Sequence, residues 1–172
     1  MDHPVWEVYN EYRTARLNVK YYSSKLGTLQ RRNFWIELTL ALTASSGIAG
    51  LWVFETWLGG YAWKAAGTVA AVLAVYRPVA RLSEGIRRIE ERVTAYRGLE
   101  LDLERLCRDI RRRGQYDSEL RDRFDAVMDR KGDVVRSYID TQIDEPLRES
   151  CESQVNQELP VEGFFVPEEV PA

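Results

Sequence analysis

The stretch "FWIELTLALTASSGIAGLWVF", Phe34 to Phe54, decides how the rest of this chain is read. As a helix its roughly 21 residues rise ~31 Å, about the thickness of a bilayer core. A helix buried in a globular core is usually shorter and polar along one side. A second apolar run, "YAWKAAGTVAAVLAVY", Tyr61 to Tyr76, follows after only "ETWLGG". Alone it spans ~24 Å, and it gains length if Leu58, Val79 and Ala80 share its depth. The intervening ETWLGG is too short for a domain and well suited to a turn. Two neighbouring runs near spanning length predict an all-α membrane protein built on a transmembrane helical hairpin over residues 34–76. The alternative is a long helical hairpin buried in an oligomer.

The charges on either side orient that hairpin. Lys20, Lys25, Arg31 and Arg32 precede the first run, and Arg77, Arg81, Arg87, Arg88 and Arg92 follow the second, while Glu55 to Gly60 holds neither residue type. Positive charge stays on the cytoplasmic side, so both termini are expected there, in a multi-pass membrane protein. Trp35, Trp52, Trp57, Tyr61, Trp63 and Tyr76 read as interfacial anchors, and Lys64 reaches the outer surface by its long stem. No cleavage site follows a short apolar core near the start, so the hairpin is expected to remain in the mature protein. The mean hydropathy of −0.39 conceals all this because the remainder is strongly charged. A formal net charge of −3 gives no global signal for nucleic acid, and none is expected as a partner.

Outside the two runs the pattern is helical. Residues 1–33 read as an N-terminal helix that starts at Asp2-His3-Pro4, turns Val5, Tyr9, Tyr12, Val19 and Tyr22 inward, and breaks or bends at Gly27. Residues 77–150 form a helical region with a coiled-coil-like stalk. Leu82, Ile86, Ile89, Val93 and Tyr96 are spaced 4, 3, 4, 3, a heptad seam and the candidate surface for stalk association. Leu99, Leu103, Leu106 and Ile110 continue it after a phase shift. Pro78 is expected to kink or restart the helix, and Gly114 to end it. A further helix is expected from Ser118 to Ile143, with Leu120, Phe124, Val127, Val134, Tyr138 and Ile139 inward and Gly132 weakening its middle. Residues 151–172 make an acidic, proline-punctuated tail that reads as extended from about Gln154. The basic run "RDIRRRG", Arg108 to Gly114, reads as a solvated helix face.

The chain carries no sign of catalysis. Cys107 and Cys151 are isolated thiols, expected reduced and structural, and His3 is the only histidine. With no CxxC pattern, glycine-rich phosphate loop or GxSxG motif, neither a metal nor any other cofactor is expected, and the chain is not read as an enzyme.

Thr39, Thr43, Ser46, Gly47 and Gly50 form one stripe on the first run, and Ala66, Ala70 and Ala74 another on the second. Small residues let backbones approach closely in a bilayer, so the stripes suit packing of the two runs. The other reading is that several hairpins associate and the hydroxyls line a polar path. Glu37, one turn inside the first run, either faces protein or water, pairing with Arg77 or Arg81, or simply reaches the interface. Glu37 and the five residues of the first stripe are thus candidates for pore lining or helix packing.

A cytoplasmic helix, two close apolar runs and then "RLSEGIRRIEERVTAYRGLELDLERLCRDI" resemble the SLATT-type two-transmembrane proteins of bacterial conflict systems, over Tyr9 to Gly114. That resemblance implies an oligomeric effector that forms a pore or disrupts the inner membrane in anti-phage defence. It also implies a lipid bilayer and further copies of the chain as partners, and a separate sensor protein, since no ligand-binding domain is fused here. A two-span anchor recruiting a partner to the membrane is the alternative, and an accessory subunit of a small transporter a third.

Overall fold

A computed structural model describes residues 3–53, 82–137 and 143–167, with side chains left out at 40, 42–53 and 82. All regular structure among the described residues is helical. Helix α1 covers Val5–Val53, α2 Leu82–Arg113, α3 Ser118–Ser137 and α4 Glu145–Glu158, followed by a single 3-10 turn, Val161–Gly163. The chain divides into two compact units, one of Met1–Ser24 with Ile89–Ala172, the other of Lys25–Arg88.

The all-α expectation holds, but the transmembrane hairpin does not. Among the described residues no helix is long and apolar enough to cross a membrane. Phe34 does not open a separate element. It lies inside a 49-residue helix that begins at Val5 and carries charge through Glu7, Arg16, Lys20, Arg31, Arg32 and Glu37. Gly27 does not break this helix either. One glycine costs about 1 kcal/mol against alanine, too little to end a helix among Lys25, Leu26, Leu29, Gln30 and Arg31, all good helix formers. The second run Tyr61–Tyr76, the turn Glu55–Gly60, and Arg77, Pro78 and Arg81 lie outside the described residues.

In the first unit α1, α2, α3 and α4 share one core. Helix α1 supplies Val5, Val8, Tyr9, Ala15, Val19 and Tyr22. Helix α2 supplies Ile89, Tyr96, Leu99, Leu103, Leu106 and Ile110, each three, four or seven residues from the next, which is one face of a helix. Leu120, Phe124 and Val127 complete it from α3, and Cys151 and Val155 from α4. Each fully buried aliphatic side chain contributes about 1.5–3 kcal/mol of transfer free energy.

Local chemistry sets the helix ends. At the start of α1 the His3 ring Nδ1 accepts from the Val5 N–H at 3.1 Å, satisfying one orphan donor. Helix α2 stops as expected at Gly114, whose φ of +70° few other residues tolerate and whose N–H donates to the Ile110 carbonyl at 2.9 Å. The Asp117 carboxylate then caps α3 by accepting from the Leu120 N–H at 2.9 Å. Arg113 bridges Asp117 and Glu119 at 3.0 and 2.8 Å across this corner. Helix α3 is described as far as Ser137; Tyr138 and Ile139 lie outside the described residues, and Ile143 beyond them is exposed and not helical.

The tail is the clearest departure from the sequence reading. Helix α4 runs on through residues 154–158, where an extended chain was expected; it is capped by the Asp144 carboxylate accepting from the Leu147 N–H at 3.1 Å, with Pro146 in the first turn. The Asp144 N–H in turn donates to the Tyr21 hydroxyl of α1 at 2.9 Å.

Candidate functional site

Where α4 ends, residues 158–164 cross a groove between α1 and α2. Tyr9 and Tyr12 reach it from α1, and Glu104, Cys107, Arg108 and Arg111 from α2, around a cavity of about 280 Å³. The α2 residues are spaced 3, 1 and 3, so one helix face presents all four. Three contacts hold the crossing segment. The Phe164 ring stacks on Tyr9 with centroids 4.3 Å apart and planes 20° apart. The Tyr9 hydroxyl donates to the Phe165 carbonyl. The Arg111 guanidinium donates to the Gly163 carbonyl at 2.8 Å.

A charge network anchors the same segment from below. Glu158, the last residue of α4, accepts from Arg16 at 3.0 Å and from Lys20 at 2.8 Å. Arg16 also pairs at 2.7 Å with Glu100 of α2, which is only 6% exposed. A buried carboxylate is tolerated when a cation and a hydrogen bond accompany it, and Arg16 supplies both. Hydrogen bonds from Lys20 and Arg16 hold the Glu158 carboxyl below the ordinary glutamate range.

Two groups that line the groove hold their protons strongly. Burial pushes the Cys107 thiol up to about 12, so it stays protonated and a poor nucleophile. Burial likewise takes Tyr9 to about 12, which keeps the hydroxyl proton that Phe165 receives. No group of three or more His, Cys, Asp or Glu able to hold a metal ion occurs among the described residues.

The residues singled out from sequence lie elsewhere. Glu37 is exposed and accepts from the Asn33 side chain at 3.1 Å, one turn back. The Thr39 hydroxyl donates to the Trp35 carbonyl at 2.8 Å, so its donor is engaged within its own helix. Thr43, Ser46, Gly47 and Gly50 are on α1 with side chains outside the described residues. Within the stalk seam, Ile89 and Tyr96 are buried, and Tyr96 stacks on Tyr22 of α1 at 5.5 Å. Ile86 and Val93 are half-buried, and the Leu82 side chain lies outside the described residues. In the basic run at the end of α2 the arginines are exposed, Arg108 on Glu104 at 2.8 Å and Arg112 on Asp109 at 3.1 Å, but Arg111 also reaches the groove and Arg113 the α2–α3 corner.

Sequence reasoning missed Glu100, Glu158, Arg111 and Phe164. A signal existed for two of them: Glu100 interrupts an apolar face between Leu99 and Leu103, and Phe164-Phe165 is an aromatic pair in an otherwise acidic tail. Compared with protein-family models, with curated proteins and with solved structures, the chain matches none.

Proposed function

We propose that the protein is a non-enzymatic helical effector that acts on a membrane as an oligomer, under the control of a separate partner that engages its first unit. The distribution of charge carries this reading. Charged residues make up 30% of the chain, yet between Phe34 and Tyr76 only Glu37, Glu55 and Lys64 are charged. A stretch so poor in charge calls for an apolar surface to cover it. Phe34 and Trp35 open that stretch 57% and 59% exposed, next to Arg31 and Arg32, the aromatic-beside-basic pairing that suits a headgroup region. The resemblance to SLATT-type proteins supplies the biological setting, bacterial anti-phage defence at the inner membrane. The reading needs the apolar stretch to act on the bilayer and assigns it no pair of spans. Half-buried Ile86 and Val93 are the candidate contacts between copies.

The test is induced expression in bacteria alongside the genomic neighbours, with a membrane-potential dye. Depolarisation followed by growth arrest is expected, and Phe34→Glu with Trp35→Glu abolishes it at unchanged protein level. A wild-type chain that leaves the potential intact under activating conditions defeats the effector reading. The scaffold reading then takes its place, favoured by the groove that Glu158 and Phe164 close. For self-association, Ile86→Asp with Val93→Asp lowers the oligomer mass; an unchanged mass assigns these residues to contacts within one chain.

A further inference from the structure

We propose that the Tyr9–Cys107–Arg111 groove is a docking site for an extended aromatic peptide segment of a partner protein, which this chain's own residues 159–167 occupy as a displaceable latch. The inference develops the partner control named above but stands on the groove's geometry alone. Peptide binding succeeds or fails whether or not a membrane is depolarised.

The way the tail is held supplies the template. Two of its fixed points are main-chain carbonyls, those of Gly163 and Phe165, taken by Arg111 and by the Tyr9 hydroxyl. Any extended segment offers carbonyls at that spacing, so these contacts fix backbone direction and leave sequence open. The third is the stack of Phe164 on Tyr9, which demands an aromatic ring. The adjoining Phe165 and Val166 stay 36% and 39% exposed, while Pro167 at the end of the latch is buried. Apart from the single turn Val161–Gly163 it has no helix of its own to unfold on leaving.

The cavity says why an incoming segment can win. Phe164 lines about 280 Å³ without filling it, together with Tyr12, Cys107 and Leu159. Ligand pockets for drug-sized molecules run from about 300 to 1,000 Å³, so this space suits one further side chain better than a free small molecule. Because burial keeps Cys107 protonated and apolar, the floor accepts an aromatic or aliphatic group. At the rim Glu104, Arg108 and Arg111 present both signs of charge, which suits a polypeptide better than a polyanion. A tethered latch competes at high effective concentration. A partner therefore needs the extra burial that the cavity offers.

The probe is a fluorescein-labelled peptide of residues 157–167, QELPVEGFFVP, followed by anisotropy against the full-length chain. Phe164→Ala weakens the latch, so that chain binds the peptide at least tenfold more tightly than wild type. Adding Tyr9→Leu removes the stack and the hydroxyl together and returns binding to the wild-type level or below. A peptide with Trp at the Phe164 position binds more tightly than the parent because it reaches further into the cavity. Equal binding to the wild-type and Phe164→Ala chains overturns the proposal, as does binding that survives Tyr9→Leu. If Phe164→Ala loses helical circular dichroism, Phe164→Leu replaces it, keeping apolar volume without the stack, and the same two outcomes decide. Thiol kinetics give a second readout. Phe164→Ala speeds modification of Cys107, which lines the cavity, and leaves Cys151 in the α4 core unchanged. A Cys107 rate unmoved by that substitution shows that the tail does not cover the groove and equally overturns the proposal.

Discussion

Helix α1 is one element with two kinds of surface. From Val5 to Tyr22 its inward side chains are buried, and its polar ones meet named partners: Arg16 on Glu100 and Glu158, Lys20 on Glu158, Glu11 on Lys131. Among the described side chains from Lys25 on, Ile36 is the buried one, and Phe34 and Trp35 stand more than half exposed, meeting each other edge to face at 5.8 Å. Helix propensity runs through both segments without a break, so it does not explain the contrast. What differs is how far the large side chains are covered. In the first segment they are buried, and substitutions there are expected to act on folding. In the second, large rings remain available, and substitutions are expected to act on association.

The largest effect tests that division directly. Leu103 and Ile110 are 2% and 0% exposed at the centre of the first unit. Leu103→Ala or Ile110→Ala is expected to lower unfolding free energy by about 2–5 kcal/mol in urea titrations, the transfer term plus the cavity left behind. Trp35→Ala, at an exposed position, is expected to stay within about 0.5 kcal/mol while changing membrane or partner association. Similar costs for Trp35 and Leu103 would break the contrast, because Trp35 would then have to be buried in the folded chain.

Next in size is the charge network. Arg16→Ala leaves Glu100 buried without its cation and is expected to cost about 2 kcal/mol. That is below the usual figure for a broken buried pair, because the Arg16 side chain is 36% exposed and water partly replaces it. Lys20→Ala loses only a partly exposed pair, about 0.5 kcal/mol. Acid separates the network from the core. The Glu158 pKa is lowered in the folded chain, so its stabilisation is present above the unfolded value near 4.5 and is lost as pH falls through the folded value. Asp109, Asp117 and Glu119 shift the same way through Arg123, the Leu120 N–H and Arg113, and give a common acid-labile background. The stability difference between wild type and the Lys20→Ala, Arg16→Ala double variant is therefore expected to shrink as pH falls from the unfolded glutamate range through the lowered folded value of Glu158. A difference that stays constant over that range would show that Glu158 is not the group being held.

How much of this was legible depended on the range of the interaction. The Gly114 stop, the Leu120–Phe124–Val127 face and the solvated arginines at the end of α2 follow from residues within one or two turns of each other. Helix α4 was harder because only Cys151 and Val155 mark its inward face, and the acids and prolines around them read as tail. Its start signal, Asp144 before Glu145-Pro146, was nonetheless local and overlooked. The pairings that build the groove were not legible, although Phe164-Phe165 stands out as an aromatic pair. Tyr9 and Phe165 are 156 positions apart, and Arg16 and Glu158 are 142 apart. No periodicity reports pairings at that distance. The transmembrane expectation failed for the opposite reason. Length and apolarity over Phe34 to Phe54 were read as a separate element, whereas helix formation continues from Val5 regardless of what the side chains later meet.

The smallest effect uses two glycines to sharpen the same comparison. Gly27 was expected to break or bend its helix and Gly114 to end one; α1 runs unbroken through Gly27, and α2 stops at Gly114. A Cβ added at either would meet no atom within 4 Å, so sterics against neighbours do not distinguish them and only the backbone does. At Gly27 the backbone is helical, and Gly27→Ala is expected to raise stability by about 0.5–1 kcal/mol, since alanine loses less conformational freedom there. At Gly114 φ is +70°, where a Cβ crowds the following carbonyl, so Gly114→Ala is expected to cost about 1 kcal/mol and to loosen the α2–α3 corner. The two changes are chemically identical, and opposite signs in one urea series measure the backbone conformation at each site. A loss at Gly27 matching that at Gly114 would mean that α1 does break at Gly27, and that the segments on either side of it are separate helices after all.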